Sequence, residues 1–190
     1  MKEKIIRILE DSIAVKQKIM QSDVGKIIAL ANTVVESLRK GGKVIIFGNG
    51  GSAADSQHIA AEFVGRFKID RQALPAVALT VNTSVLTAIG NDYGFEFVFS
   101  KQIEALGRPE DIVIGISTSG KAKNVLEGIR KAKSLGIKTI AFTGGDGGPL
   151  AKESDIAYVA PSDVTARIQE AHITIGHILC ELAEEQLTES

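Results

Sequence analysis

Residues 43–62 read KVIIFGNGGSAADSQHIAAE, and the change of pattern within them implies a layered architecture. The first seven residues, KVIIFGN, form an apolar run of the length expected for a strand buried on both faces. A glycine turn follows, and residues 52–67 then carry a helical pattern. Strand, turn and helix make half of a βαβ unit, so the same alternation should recur along the chain. Further apolar runs stand at LPAVALT (74–80), DIVIGIS (111–117), IKTIAFTG (137–144) and DIAYVA (155–160). Helical stretches separate them at 82–90, 95–106 and 121–135, and a long one runs from about residue 163 to the end. The expected fold class is α/β, a doubly wound, five-stranded parallel sheet covered on both faces.

Two helical segments, residues 2–20 and 23–39, precede the first strand and are not crossovers of the sheet. The first places Ile6, Leu9, Ile13 and Met20 along one stripe, broken by Lys16, and Gly41 and Gly42 close the pair. In the C-terminal helix, Ile168, Ile173, Ile175, Ile178, Leu179, Leu182 and Leu187 spread over more than one face. One sheet face cannot easily cover all three helices, which favours packing between copies; packing within the chain is the alternative. The expectation is one domain over 1–190, with residues 1–40 as a helical N-terminal extension packing in an oligomer.

Composition narrows the partners. The chain of 190 residues is 44% hydrophobic, enough for a sizeable core. Its formal charge of −1, from 22 basic and 23 acidic residues interspersed, provides no basic field for nucleic acid or anionic lipid. No apolar run has the length of a membrane span and the first twenty residues lack a signal-peptide core, so a cytosolic protein is expected. Cys180 is the only cysteine and reads as a packed thiol.

Ligands of parallel sheets collect at the carboxyl ends of strands, where helix N-termini offer free N–H groups to anions. Two turns fit that use. GNGGSA (48–53) matches the G-x-G-x-x-A dinucleotide pattern, but the second strand ends in Thr80, Val81 and Asn82, without the acid that would hold a ribose. No nucleotide is therefore expected. STSG (117–120) supplies hydroxyl and backbone donors suited to a phosphate monoester. Either turn alone could be a helix cap, whereas two in one sheet favour phosphate. TGGDGG (143–148) reads as a turn without assigned chemistry.

His58 and Glu62 stand four residues apart on the helix that leaves the first turn, so they share a face. They could form a solvated pair, or reach a ligand anchored at the turn. Gln169, His172 and His177 make a second polar set on the last helix. A divalent metal suits two imidazoles, a carboxylate and an amide. Gln169 and His177 are eight residues apart, about 12 Å of rise and about 80° of rotation on an ideal helix, which makes a shared ion demanding.

The segments GNGGSAADSQHIAAEFVGRF (48–67), AIGNDYGFE (88–96), GISTSG (115–120) and ARIQEAHITIGH (166–177) together resemble the sugar isomerase (SIS) domain family. Within it they resemble the phosphoheptose isomerases, over essentially the whole chain. The resemblance implies a flavodoxin-like sheet and a homotetramer with active sites near subunit interfaces. It also implies conversion of sedoheptulose 7-phosphate to D-glycero-D-manno-heptose 7-phosphate through an enediol, for lipopolysaccharide or related glycans. By that resemblance Asn49, Gly50, Gly51, Ser52, Glu62, Asn91, Asp92, Ser117, Thr118, Ser119 and Gln169 bind substrate, and Arg66 faces the site. Glu62 and His177 are similar to the catalytic pair, while His58, Glu62, Gln169 and His177 match the ligands of one Zn2+ per subunit.

Two positions depart from the pattern. Ala122 stands where the family often has a serine, a loss of about 1.5–3 kcal/mol of phosphate contact if nothing replaces it. Lys121 or Lys123 could compensate. Ala166 stands where some members carry an acid. As base, Glu62 would need a free carboxylate, and tight ligation of a metal would lower its basicity. The alternative function is a non-catalytic SIS-domain binding protein that associates with the replication initiator; it would need neither Glu62 nor His177.

Overall fold

Side chains alternate across a strand, and in β1 (Val44–Gly48) both sets are apolar. Val44 and Ile46 enter one core while Ile45 and Phe47 enter another, so this strand is stable only with a helical layer on each side. The computed structural model, which describes residues 1–188, has that arrangement. β1, β2 (Ala76–Ala78), β3 (Ile112–Ile116), β4 (Lys138–Gly144) and β5 (Ile156–Ala160) form one parallel sheet. Their spatial order is β2-β1-β3-β4-β5. Winding therefore reverses between β1 and β3, the place where such sheets hold ligands. Gly48 pairs with Ile116, which brings the loops after these two strands level with each other.

Helices α1 (Lys2–Ser22), α2 (Val24–Arg39), α3 (Gly51–Val64) and α8 (Thr165–Thr188) cover one face. On the other lie α5 (Ser100–Leu106), α6 (Lys123–Ser134) and α7 (Gly148–Glu153), with α4 (Thr83–Asp92) at the rim. Each fully buried Ile, Val, Leu or Phe in these layers contributes about 1.5–3 kcal/mol. The doubly wound five-stranded sheet, the leading helical pair and the long last helix all follow the sequence expectation. Residues 189–190, into which the expected last helix extends, lie outside the described residues.

Several details differ. The second strand pairs over three residues only, because Pro75 cannot donate at its start and Asn82 already caps α4, accepting from the Val85 N–H at 3.0 Å. The stretch 95–106 divides into a 3-10 turn at Phe95–Phe97 and α5. In α1 the stripe residues Ile6, Leu9, Ile13 and Met20 are 44–66% exposed, and Val15 and Ile19 are buried instead. No described helix is long and apolar enough to cross a membrane. The glycine cluster 143–148 does more than turn the chain. Gly147 and Gly148 adopt φ values of 79° and 58°, which allows α7 to start against the loop that follows β3, where the Leu150 N–H reaches Gly120 O at 3.1 Å.

His172 belongs to the core rather than to a site. Its Nε2–H donates to the Thr143 carbonyl at 2.9 Å, and Nδ1 is buried without a partner among the described residues. Burial lowers its pKa to about 4 from the ordinary 6.5, against the Thr143 bond, which raises it. The unfolded imidazole therefore takes a proton at a higher pH than the folded one. This contribution to stability is complete above about pH 6.5 and is lost as pH falls toward 4. Between pH 7 and 5 the loss should be about 2 kcal/mol, read from urea midpoints. His172→Gln should show a correspondingly flatter pH dependence, and equal slopes for the two proteins would contradict it.

Candidate active site

α3 is capped at its start by Gly50, whose φ of 55° and ψ of −122° exclude most other residues from the turn. The Ser52 N–H closes this turn on the Asn49 carbonyl at 3.0 Å. The Asn49 side chain exchanges two hydrogen bonds with Asn124, each 2.8 Å, and Asn124 Oδ1 also accepts from the Val125 N–H. This amide pair ties the turn after β1 to the helix that follows β3. Sequence reading missed Asn124, which is buried and 75 positions from its partner.

In the second loop the Ser117 N–H continues the sheet by donating to Phe142 O at 2.9 Å, leaving Ser117 buried and Ser119 exposed. Thr118, Ser119 and Lys121 line a cavity of about 370 Å³. Lys123 instead lines a separate groove with Glu96 and Glu127. Of the two lysines flanking Ala122, only Lys121 shares the cavity with the loop hydroxyls.

The polar stripe of α3 meets α8. His58 Nε2 lies 3.1 Å from Glu62 Oε1 and 3.4 Å from His177 Nε2. Ligand atoms of all three residues lie within 4.8 Å of one another. The two helices run alongside in the same direction, with Gly51 against the Gln169 carboxamide and Ile59 against Gly176. A seven-residue advance on α3 thus matches the eight residues from Gln169 to His177, and both residues meet α3 of their own chain. His58, Glu62 and His177 converge, while Gln169 sits at the head of the turn. The His177 ring also packs 5.5 Å from that of Phe67.

Asp55, one turn before His58, is a residue that sequence reading passed over. Its Oδ2 is buried without a partner among the described residues. Burial raises its pKa, and the charges of His58 and His177 oppose that rise. Its position on the stripe of 58 and 62 was the available signal. Asn91 and Asp92 sit exposed at the end of α4, bonded to each other at 2.8 Å, with no hydrogen bond or ion pair to the cluster among the described residues. Arg66 is exposed just beyond α3, and Ala166 opens the first turn of α8.

The fold and site define a class: a switch-point sheet with two anion-ready turns beneath a carboxylate–imidazole cluster. Residues 9–144 match the SIS domain family. The chain is 53% identical to the phosphoheptose isomerase of Aquifex aeolicus, covering 100% of this chain and 99% of that protein. It is 54% identical to the phosphoheptose isomerase of a Roseiflexus species, covering 97% and 94%. The solved structure of phosphoheptose isomerase GmhA from Neisseria gonorrhoeae is similar with a TM-score of 0.92 at 44% identity, over 97% of this chain and 98% of that one. The protein belongs to the phosphoheptose isomerase family of SIS-domain proteins.

Gly176 permits the helix approach that sets the cluster. A Cβ there would come within 2.7 Å of Ile59 Cγ1 and closer still to Cδ1. Gly176→Ala should gain about 1 kcal/mol of helix propensity but lose about 1–3 kcal/mol to overpacking against buried Ile59. A net fall in the urea midpoint is expected; a rise would show that the α3–α8 contact is not tight at this position.

Proposed function

We propose that the protein is an aldose–ketose isomerase that interconverts sedoheptulose 7-phosphate and D-glycero-D-manno-heptose 7-phosphate. The observation that carries this reading is the meeting of Glu62 and His177 from separate helices beside the glycine turn. The family relationship supplies the substrate, and it gives no support to a non-catalytic binding protein.

Isomerisation moves a proton between adjacent carbons through an enediol, so no hydride leaves and no nucleotide is needed. Thr118 and Ser119, which line the cavity with Lys121, hold the phosphate together with Ser117 of the same loop, and Lys121 supplies charge beside Ala122. Asn49, Gly50, Gly51, Ser52 and Gln169 line the sugar. Glu62 takes the proton from C1 of the ketose and returns it to C2, and His177 moves protons between the two oxygens. The exposure of Asn91 and Asp92 fits a substrate site completed by a neighbouring subunit. The apolar stripe left exposed on α1 supports a homotetramer in which residues 1–40 pack between copies.

The donor set fits one zinc ion per subunit. Nitrogen and oxygen ligands about 2.0 Å from a tetrahedral ion stand roughly 3.3 Å apart, close to the spacings of 3.1 and 3.4 Å around His58. His58, Glu62 and His177 would hold it, with Gln169 as the fourth ligand implied by the family pattern. When bound, zinc would polarise the substrate carbonyl and stabilise negative charge on the enediolate. The product would supply heptose for lipopolysaccharide core or related bacterial glycans, in the cytoplasm.

Purified protein should form aldose from sedoheptulose 7-phosphate. Glu62→Gln and His177→Ala should each lower kcat by about 10²- to 10⁴-fold. No turnover by the wild type, with or without added zinc, would remove the isomerase reading. Undiminished rates in the variants would remove the assigned roles.

A further inference from the structure

Beyond α3, the loop that carries Arg66 and Phe67 is fastened to α8 by one buried ion pair. Glu184, two turns past His177, has a side chain only 1% exposed, and its partner Arg71 is 3% exposed. Glu184 Oε1 accepts the N–H groups of Lys68 and Ile69 at 2.7 and 2.8 Å. Oε2 accepts the Phe67 N–H at 2.9 Å and Arg71 Nε at 3.0 Å. All the capacity of this carboxylate is directed at a single loop.

The guanidinium works on the helix end. Its Nη1 donates to the carbonyls of Phe63 at 2.9 Å, Gly65 at 3.2 Å and Gln72 at 3.1 Å. Nη2 donates to the carbonyl of Glu62 itself at 3.0 Å. The last carbonyls of a helix lack internal partners, and Arg71 takes up two of those of α3, at Glu62 and Phe63. One end of the pair thus grips the backbone of Glu62. The other holds the loop whose Phe67 ring lies against His177, and it grows from the same helix as His177.

The geometry points to Arg71 and Glu184 as a positioning pair that fixes Glu62 relative to His177 for proton transfer. This inference rests on the isomerase reading. Burying two charges is costly, and replacement by an apolar pair could stabilise the fold equally well, so stability alone gives little reason for the pair. A planar fork that reaches several carbonyls and a carboxylate at once gives directional control that an apolar contact lacks.

The test compares wild type, Glu184→Gln and Arg71→Lys with sedoheptulose 7-phosphate at 25 °C, per folded protein and below each melting temperature. The imidazole NMR signals of His58 and His177 are recorded in parallel. Positioning predicts that kcat falls about 10- to 100-fold while KM stays within about threefold, and that the His177 signals move. A lower melting temperature with kcat within about twofold and unmoved imidazole signals would overturn it. Should Glu184→Gln not fold, Arg71→Lys decides, since it keeps the charge and loses the fork. Absence of wild-type turnover would count against the isomerase reading instead, and unmoved His177 signals in the variants would then still overturn the positioning role.

Discussion

The close approach of α3 and α8 at Ile59 and Gly176 is the constraint on which the site depends. A glycine inside a helix costs about 1 kcal/mol relative to alanine, and here it lets one helix settle on the other. Cys180, also fully buried, adds to the contact with its Sγ 4.0 Å from the Ile59 carbonyl oxygen. Because the helices run in the same direction, one contact sets two others. Gln169 comes to rest on Gly51, and His177 reaches His58 at 3.4 Å. A shift of α8 by one residue would rotate it by about 100° and separate every pair together.

Around this contact the polar groups are fixed by one another before any ligand arrives. Asn49 and Asn124 hold each other by two hydrogen bonds across the switch point, and the Leu150 N–H of α7 holds the second loop at Gly120. Preorganised donors cost no rearrangement at the moment of reaction, and a phosphate site gains most when its loops are held in that way. Asp55 Oδ2, buried without a partner among the described residues, is the exception in this setting. Its neighbours in the electrostatic sense are the two histidines of the cluster, so its raised pKa reflects burial that they only partly offset.

Sequence revealed what local pattern encodes. Five apolar runs marked five strands, and two glycine turns marked the loops at the switch point. The i, i+4 spacing brought His58 beside Glu62. Contacts made across long separations were not legible. Arg71 and Glu184 are 113 positions apart, and neither sits in a recognisable motif. The glycine cluster at 143–148 looked like a plain turn because its partner loop lies in another segment. The stripe of α1 was found, but a periodic pattern cannot say whether its face meets the same chain or another.

His172 and His177 show how such ambiguity is resolved by geometry. Both lie on α8, and by composition either could be a ligand or a core residue. Five residues rotate a helix by about 140°, so the two rings leave it in different directions. His172 turns toward the sheet, where burial lowers its pKa to about 4 and keeps it neutral, outweighing the carbonyl bond to Thr143, which acts the other way. His177 turns toward α3, where it stays partly open to water and finds an imidazole and a carboxylate. A neutral ring sealed in the core cannot exchange protons with a ligand, whereas a half-exposed ring beside Glu62 can. The same helix thus supplies a packing histidine and the one proposed for proton transfer, and rotation about its axis separates the two.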